Sequence, residues 1–78
     1  MIRKQVGLRI RELRTQLGLS QEKFGLEVGL DRTYIASIEL GKRNVSILNL
    51  EKIWTGLKVS PKNFFDSDLF NGDKSYGK

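Results

Sequence analysis

The chain has 78 residues, enough for one small domain that buries only about 60 to 65% of its unfolded surface. It contains no cysteine and no histidine, which excludes disulfides, thiolate metal sites and a histidine general base, so we expect no cofactor, no metal and no enzymatic activity. Apolar runs are too short for a membrane span or a signal peptide, which predicts a cytoplasmic protein, and a net charge of +5 favours a polyanionic partner.

The first predicted helix covers about residues 3–17 and ends at Gly18. Its apolar stripe repeats at intervals of 4, 4, 3 and 4, as Ile2, Val6, Ile10, Leu13 and Leu17. Residues 1–14 also carry five arginines and lysines against one glutamate, a local balance of 5 − 1 = +4. This charge either approaches the polyanion or forms an ordinary solvated helix face.

Two short helices follow, over about residues 21–28 and 32–39. Ser20 and Asp31 can each cap the helix that comes after it, and Gly29 can adopt the positive φ of a sharp turn between them. The pattern predicts a helix-turn-helix.

The second of these helices leaves four side chains on its outer face, which are Arg32, Thr33, Ala36 and Ser37. A guanidinium fork, two hydroxyls and a methyl are suited to contacts in the major groove of DNA. The pattern therefore predicts a DNA-reading helix, although helix pairs of this kind also occur in proteins that never contact DNA.

The remaining chain predicts two more helices. Ser46 can cap a fourth helix with apolar positions at 47, 50, 53 and 57, and Ser60-Pro61 can begin a fifth. Five helices and no strand pattern predict a compact all-α domain over residues 1–66, with helix 3 supported by helices 1 and 4. Residues 67–78 are expected to form a polar, partly disordered tail.

Helices 4 and 5 offer more apolar surface than one small domain can cover. The side chains concerned are Ile47, Leu48, Trp54, Phe64 and Phe65. They predict a homodimer interface, and a two-fold dimer predicts a pseudo-palindromic double-stranded DNA site.

Five segments carry a family resemblance, namely Leu19–Glu22, Gly29–Ile35, Ile38–Glu39, Gly41–Arg43 and Leu57–Ser60. Together they resemble the XRE or lambda-repressor-like helix-turn-helix family over about residues 3–66, and most closely the controller proteins of restriction-modification systems. The resemblance implies a five-helix domain and a homodimeric transcriptional regulator that activates at low concentration and represses at high concentration. A prophage-type repressor or an antitoxin-like autoregulator is the alternative, and a protein-interaction module a more remote one.

The resemblance implies DNA contacts at Gln21, Arg32, Thr33, Tyr34, Ser37, Arg43 and Asn44. Gln21 is expected to bind a phosphate, and Arg32 to pair with a guanine through its fork. Tyr34 could instead pack in the core, and Asn44 could simply stabilise a turn.

Further expectations concern residues other than the implied DNA contacts. The resemblance implies a structural ion pair between Arg14 and Glu39, and a contact of Glu22 with the sigma subunit of RNA polymerase. Gly25 departs from the family pattern, which indicates either that helix 1 packs close to it or that helix 2 is soft. Leu26 departs as well, because a polar residue is common there.

Overall fold

The computed structural model describes residues 1–71, and the rest of the predicted tail, residues 72–78, lies outside this part of the chain. Its helices are α1 (Ile2–Gln16), α2 (Gln21–Val28), α3 (Arg32–Glu39), α4 (Ile47–Gly56) and α5 (Pro61–Phe65), followed by a 3₁₀ turn at Asp68–Phe70. No strand occurs within residues 1–71. The all-α prediction and the order of the five helices are confirmed.

Side-chain caps set the first residues of α2 to α5. In three of these helices a serine hydroxyl accepts a hydrogen bond from the backbone N–H three residues later, and in α3 the Asp31 carboxylate accepts one from the N–H of Thr33. Each cap satisfies an N–H group that has no partner inside its own helix. The bounds of α2 and α3 are therefore those expected from the sequence.

Two glycines fix the turn between α2 and α3. Gly29 ends α2 with φ of 74°, and the N–H of Leu30 donates to the carbonyl of Gly25 at 2.9 Å. A Cβ at position 25 would lie only 2.5 Å from the Leu30 carbonyl oxygen. The neighbour that requires glycine here is thus the turn itself, and the expectation of a close approach by helix 1 is wrong.

The backbones of α1 and α3 touch at Gly7, which no local pattern in the sequence marks. A Cβ at Gly7 would lie 2.2 Å from the carbonyl oxygen of Ile38. Helix α3 packs mainly against α1 and α2, whereas α4 packs against α2, with Gly56 close to Val28. The principal supports of the predicted reading helix are thus α1 and α2, rather than α1 and α4.

The core is one cluster of ten buried apolar side chains, which are Val6, Ile10, Leu13, Phe24, Ile35, Ile38, Leu50, Ile53, Leu57 and Phe64. Two members of the predicted α1 stripe are not part of it, because Ile2 and Leu17 lie at the helix ends and are 60% and 42% exposed.

Phe64 is 0% exposed, so its prediction as a dimer-interface residue is wrong: its ring fills the core of its own domain.

The first residues of the predicted tail dock on the domain. The ring of Phe70 packs against that of Phe65 with centroids 5.0 Å apart, and the Gln5 side-chain amide donates to the Leu69 carbonyl at 2.8 Å. Packing therefore extends past residue 66, where the sequence placed the domain boundary.

Candidate nucleic-acid interface

The outer face of α3 combines with the start of α2 to form a shallow polar cleft. The cleft has a volume of about 360 Å³ and is lined by Ser20, Gln21, Glu22, Arg32, Thr33 and Ala36. Three of the predicted DNA contacts, at positions 21, 32 and 33, are thus brought together. Arg32 and Thr33 are exposed and Ser37 is half-buried on the same helix. Leu40, just after α3, is 61% exposed.

Thr33 has a hydrogen-bonding role that restricts what it can offer to a base. Its hydroxyl donates to the Asp31 carboxylate, which also accepts from the Thr33 N–H at 3.1 Å. The hydroxyl bond is the main cause of a lowered Asp31 pKa, followed by the backbone bond. With its hydrogen committed to Asp31, the Thr33 oxygen can still accept from a base amino group, and its methyl remains free for an apolar contact.

A buried ion pair lies directly behind the cleft, between the residues for which the family resemblance implies one. Arg14 donates through Nε to Glu39 Oε2 at 2.6 Å and through Nη2 to Oε1 at 2.9 Å, and both residues are 7% exposed. The hydrogen bond to Glu39 raises the pKa of Arg14, with burial acting in the opposite direction. The remaining Nη1 donates to the Leu19 carbonyl at 2.7 Å, so the pair also holds the turn that leads into α2.

Gln21 is attached to this pair. Its Nε2 donates to Glu39 Oε1 at 3.1 Å. A side-chain amide has two N–H groups, so one remains for a phosphate oxygen while the other fixes the direction of the group. The interpretation of Gln21 as a phosphate ligand is therefore compatible with its contacts.

Tyr34 and Arg43 form a second part of the candidate interface, beside the loop between α3 and α4. The Arg43 guanidinium carbon lies 5.1 Å from the centre of the Tyr34 ring, and the Tyr34 hydroxyl accepts a hydrogen bond from Asn49 Nδ2 at 3.0 Å. Tyr34 is half-buried against the core while Arg43 and Asn44 are exposed. The ring of Tyr34 therefore packs against the core, while the contact of this residue with DNA stays a prediction.

The five cations of residues 1–14 have different roles. Arg14 is buried with Glu39, and Arg9 donates to the carbonyls of Phe64 at 2.7 Å and Asn63 at 2.8 Å. These two arginines therefore stabilise the domain and do not face a polyanion. The other three, at positions 3, 4 and 11, are exposed.

Lys4 lies beside the loop after α3. A Cβ at Gly41 would be 3.0 Å from Lys4 Cα, so the two backbones are adjacent. Arg3 lines the same cleft of about 400 Å³ as Arg43 and Asn44. The positive charge at the start of α1 therefore continues into the predicted DNA-contacting loop.

Several of the predicted interface side chains on α4 and α5 are exposed. Ile47 and Leu48 are 71% and 70% exposed, and Phe65 is 40% exposed and lines the cleft. Trp54 is half-buried against the core. Leu26, 78% exposed on α2, is a separate apolar residue of the described surface.

Within residues 1–71 no helix is long and apolar enough to cross a membrane, and no cluster of three or more acidic side chains could hold a metal ion.

Comparison with known proteins identifies the family. A helix-turn-helix family model matches residues 10–64. The control protein C.MunI from Mycoplasma sp is 48% identical over 69 residues, which cover 87% of this chain and 92% of the relative. The chain belongs to the helix-turn-helix controller proteins. Membership favours the controller type over the prophage-repressor and antitoxin-like alternatives.

Solved structures of controller proteins have the same fold. The restriction-modification controller protein C.AhdI from Aeromonas hydrophila is 46% identical with a TM-score of 0.77, covering 81% of this chain and 96% of that one. A tetramer of the controller protein C.Esp1396I, in complex with its natural 35 base-pair operator, is 40% identical with a TM-score of 0.79, covering 83% and 86%.

The buried ion pair yields the first prediction. Glu39→Leu should lower the free energy of unfolding by about 3 to 5 kcal/mol, because it leaves the Arg14 charge buried without a partner. The double variant Arg14→Met with Glu39→Leu should lose less than Glu39→Leu alone, since no uncompensated charge remains. Urea unfolding of the three proteins measures both quantities. A double variant less stable than Glu39→Leu would contradict this account.

Proposed function

We propose that this controller protein, a DNA-binding transcriptional regulator by family, acts in the cytoplasm as a two-fold dimer on a pseudo-palindromic operator in double-stranded DNA. The observation that carries the proposal is the cleft in which Gln21 stands beside Arg32 and Thr33. A phosphate ligand and two base-reading groups are the combination that a helix docked in the major groove requires. The operator complex of the related C.Esp1396I supports this assignment.

In the proposed complex α3 lies in the major groove with its first turn against the base edges. Arg32 can donate two parallel hydrogen bonds to guanine N7 and O6, and Ser37 lies one turn further along the helix. Gln21 and the loop residues Arg43 and Asn44 then bind the sugar-phosphate backbone on the two sides of the groove. Arg3 and Lys4 add positive charge beside that loop.

The proposed dimer uses the apolar surface around Ile47 and Leu48 at the start of α4, together with Phe65 and Trp54. A second copy of the chain would cover two aliphatic side chains that are otherwise about 70% exposed. A two-fold arrangement presents the same patch on both copies and places the two reading helices roughly 34 Å apart, one helical turn of DNA.

Glu22 is the proposed contact with the sigma subunit of RNA polymerase. It is exposed in the first turn of α2, at the edge of the reading cleft, where an attached polymerase could reach it while DNA is bound. An acid at this position also favours the positive end of the helix dipole, so the proposal needs a functional test.

For the dimer, Leu48→Glu should give a monomer at roughly tens of micromolar, because the interface would have to bury two unpaired carboxylates. Leu26→Glu is the matched control: it changes another exposed leucine in the same way and should remain dimeric. Sedimentation velocity measures both. A parent protein that sediments as a monomer with and without operator DNA would refute the proposed dimer.

For base reading, Arg32→Ala should weaken binding by about 1 to 3 kcal/mol on an operator selected from a random DNA pool, and should relax the preference at one base pair in each half-site. Arg43→Ala should weaken binding to selected and scrambled DNA more evenly, since phosphates carry no sequence information. Titrations on the two DNAs distinguish these effects. An equal loss on both for Arg32→Ala would rule out its base-reading role.

For activation, Glu22→Gln should preserve operator affinity and reduce transcription from an activated promoter, because only the charge facing the polymerase is removed. Glu51→Gln, an equally conservative change at an exposed acid of α4, should leave both unchanged. A reporter assay at equal operator occupancy measures the effect. Activation equal to that of the parent would exclude Glu22 and direct attention to Leu26 or Glu27.

A further inference from the structure

Three side chains form a continuous series of contacts from α4 to the loop after α3. Asn49, half-buried near the start of α4, donates its side-chain N–H to the hydroxyl of Tyr34 at 3.0 Å. The Tyr34 ring in turn lies under the guanidinium of Arg43, at 5.1 Å from its centre. The series thus begins at Asn49, which has no assigned role in DNA binding, and ends at Arg43, a proposed phosphate ligand.

The two contacts restrict different motions. Arg43 is exposed on a long side chain, and the face of an aromatic ring attracts the cation and limits the positions it occupies. That ring offers a fixed platform only if it does not rotate. The hydrogen bond from Asn49 holds its hydroxyl end, while contacts with the core hold the rest of the ring.

The direction of the Asn49 hydrogen bond also matters for Tyr34. A phenol hydroxyl carries one hydrogen and two lone pairs. Because the oxygen accepts from Asn49, its own hydrogen remains available for an acceptor such as a phosphate oxygen. Asn49 therefore leaves the tyrosine as a donor while fixing its place.

We propose that Asn49 is a positioning residue for DNA binding. It holds the Tyr34 ring, which holds Arg43 in the orientation needed to bind the phosphate backbone, and Asn49 itself need not contact DNA. The inference rests on the proposed function only in requiring that Arg43 binds DNA. It does not depend on the dimer, although Asn49 adjoins Leu48 of the proposed interface in the sequence.

The test is a double-mutant cycle between positions 49 and 43. Asn49→Ala removes the side-chain donor but keeps the backbone N–H that Ser46 caps, and alanine favours a helix, so α4 should remain folded. Asn49→Ala should weaken binding to operator and scrambled DNA by about 3- to 10-fold, the scale expected for loss of one pre-ordered side chain. In an Arg43→Ala background the same change should have a clearly smaller effect, because only the donor at the Tyr34 hydroxyl then remains to be positioned.

Thr55→Ala is the matched control, since it removes another polar group from the exposed part of α4 and should not alter DNA affinity in either background. All titrations are made well below the thermal midpoints, which are measured for each variant. An Asn49→Ala effect that persists in full in the Arg43→Ala background would overturn the inference, because Asn49 would then act independently of Arg43. So would an Asn49→Ala protein that binds as the parent does.

Failure of the proposed function has a different signature. A parent protein that selects no DNA from a random pool would remove the function itself. If the parent binds DNA but Arg43→Ala binds equally well, Arg43 is not a ligand and the positioning role of Asn49 falls with it.

Discussion

The buried pair of Arg14 and Glu39 is the interaction on which the proposed DNA-reading face depends. Both side chains are almost completely buried, so neither can move away without leaving the other charge poorly solvated and unpaired. Arg14, near the end of α1, donates to Glu39 at the end of α3 and to the Leu19 carbonyl. Glu39 also accepts a hydrogen bond from Gln21 at the start of α2. The relative positions of the first turn of α2 and the end of α3 are thus set by charge pairing as well as by apolar packing.

Sequence reasoning predicted the local features of this arrangement and missed those that depend on distant neighbours. The caps Ser20 and Asp31 could be found because a cap acts on N–H groups two or three residues away. Gly7 could not, since its reason is the Ile38 carbonyl, 31 positions along the chain, against which a Cβ would collide. Gly25 is a different case: its neighbour, the Leu30 carbonyl, is only five positions away, but the close approach depends on the path of the turn, which the residue types do not specify.

The candidate site residues also divide into those set by local sequence and those set by distant neighbours. Periodicity predicts which side chains of α3 face outward, but Arg3 and Arg9 look alike in sequence, and only the fold brings the carbonyls that end α5 to Arg9. Phe64 and Phe65 are adjacent and chemically identical, yet one fills the core and the other is 40% exposed. Burial is decided by which face of a short helix meets the core, and five residues give too few turns for a period to reveal it.

Affinity for the operator and preference for particular bases should depend on different parts of the molecule. The ion pair, the Gly7 contact and the Tyr34 contacts all lie inside one copy of the chain, so the proposed reading face is fixed before any partner binds. In the proposed dimer, the apolar surface near Leu48 then sets only the distance and angle between two such faces. Weakening the dimer interface should therefore reduce affinity for the complete operator, while each half-site keeps its base preference. A change at Arg32 should instead alter the base preference and leave the spacing of the half-sites unchanged.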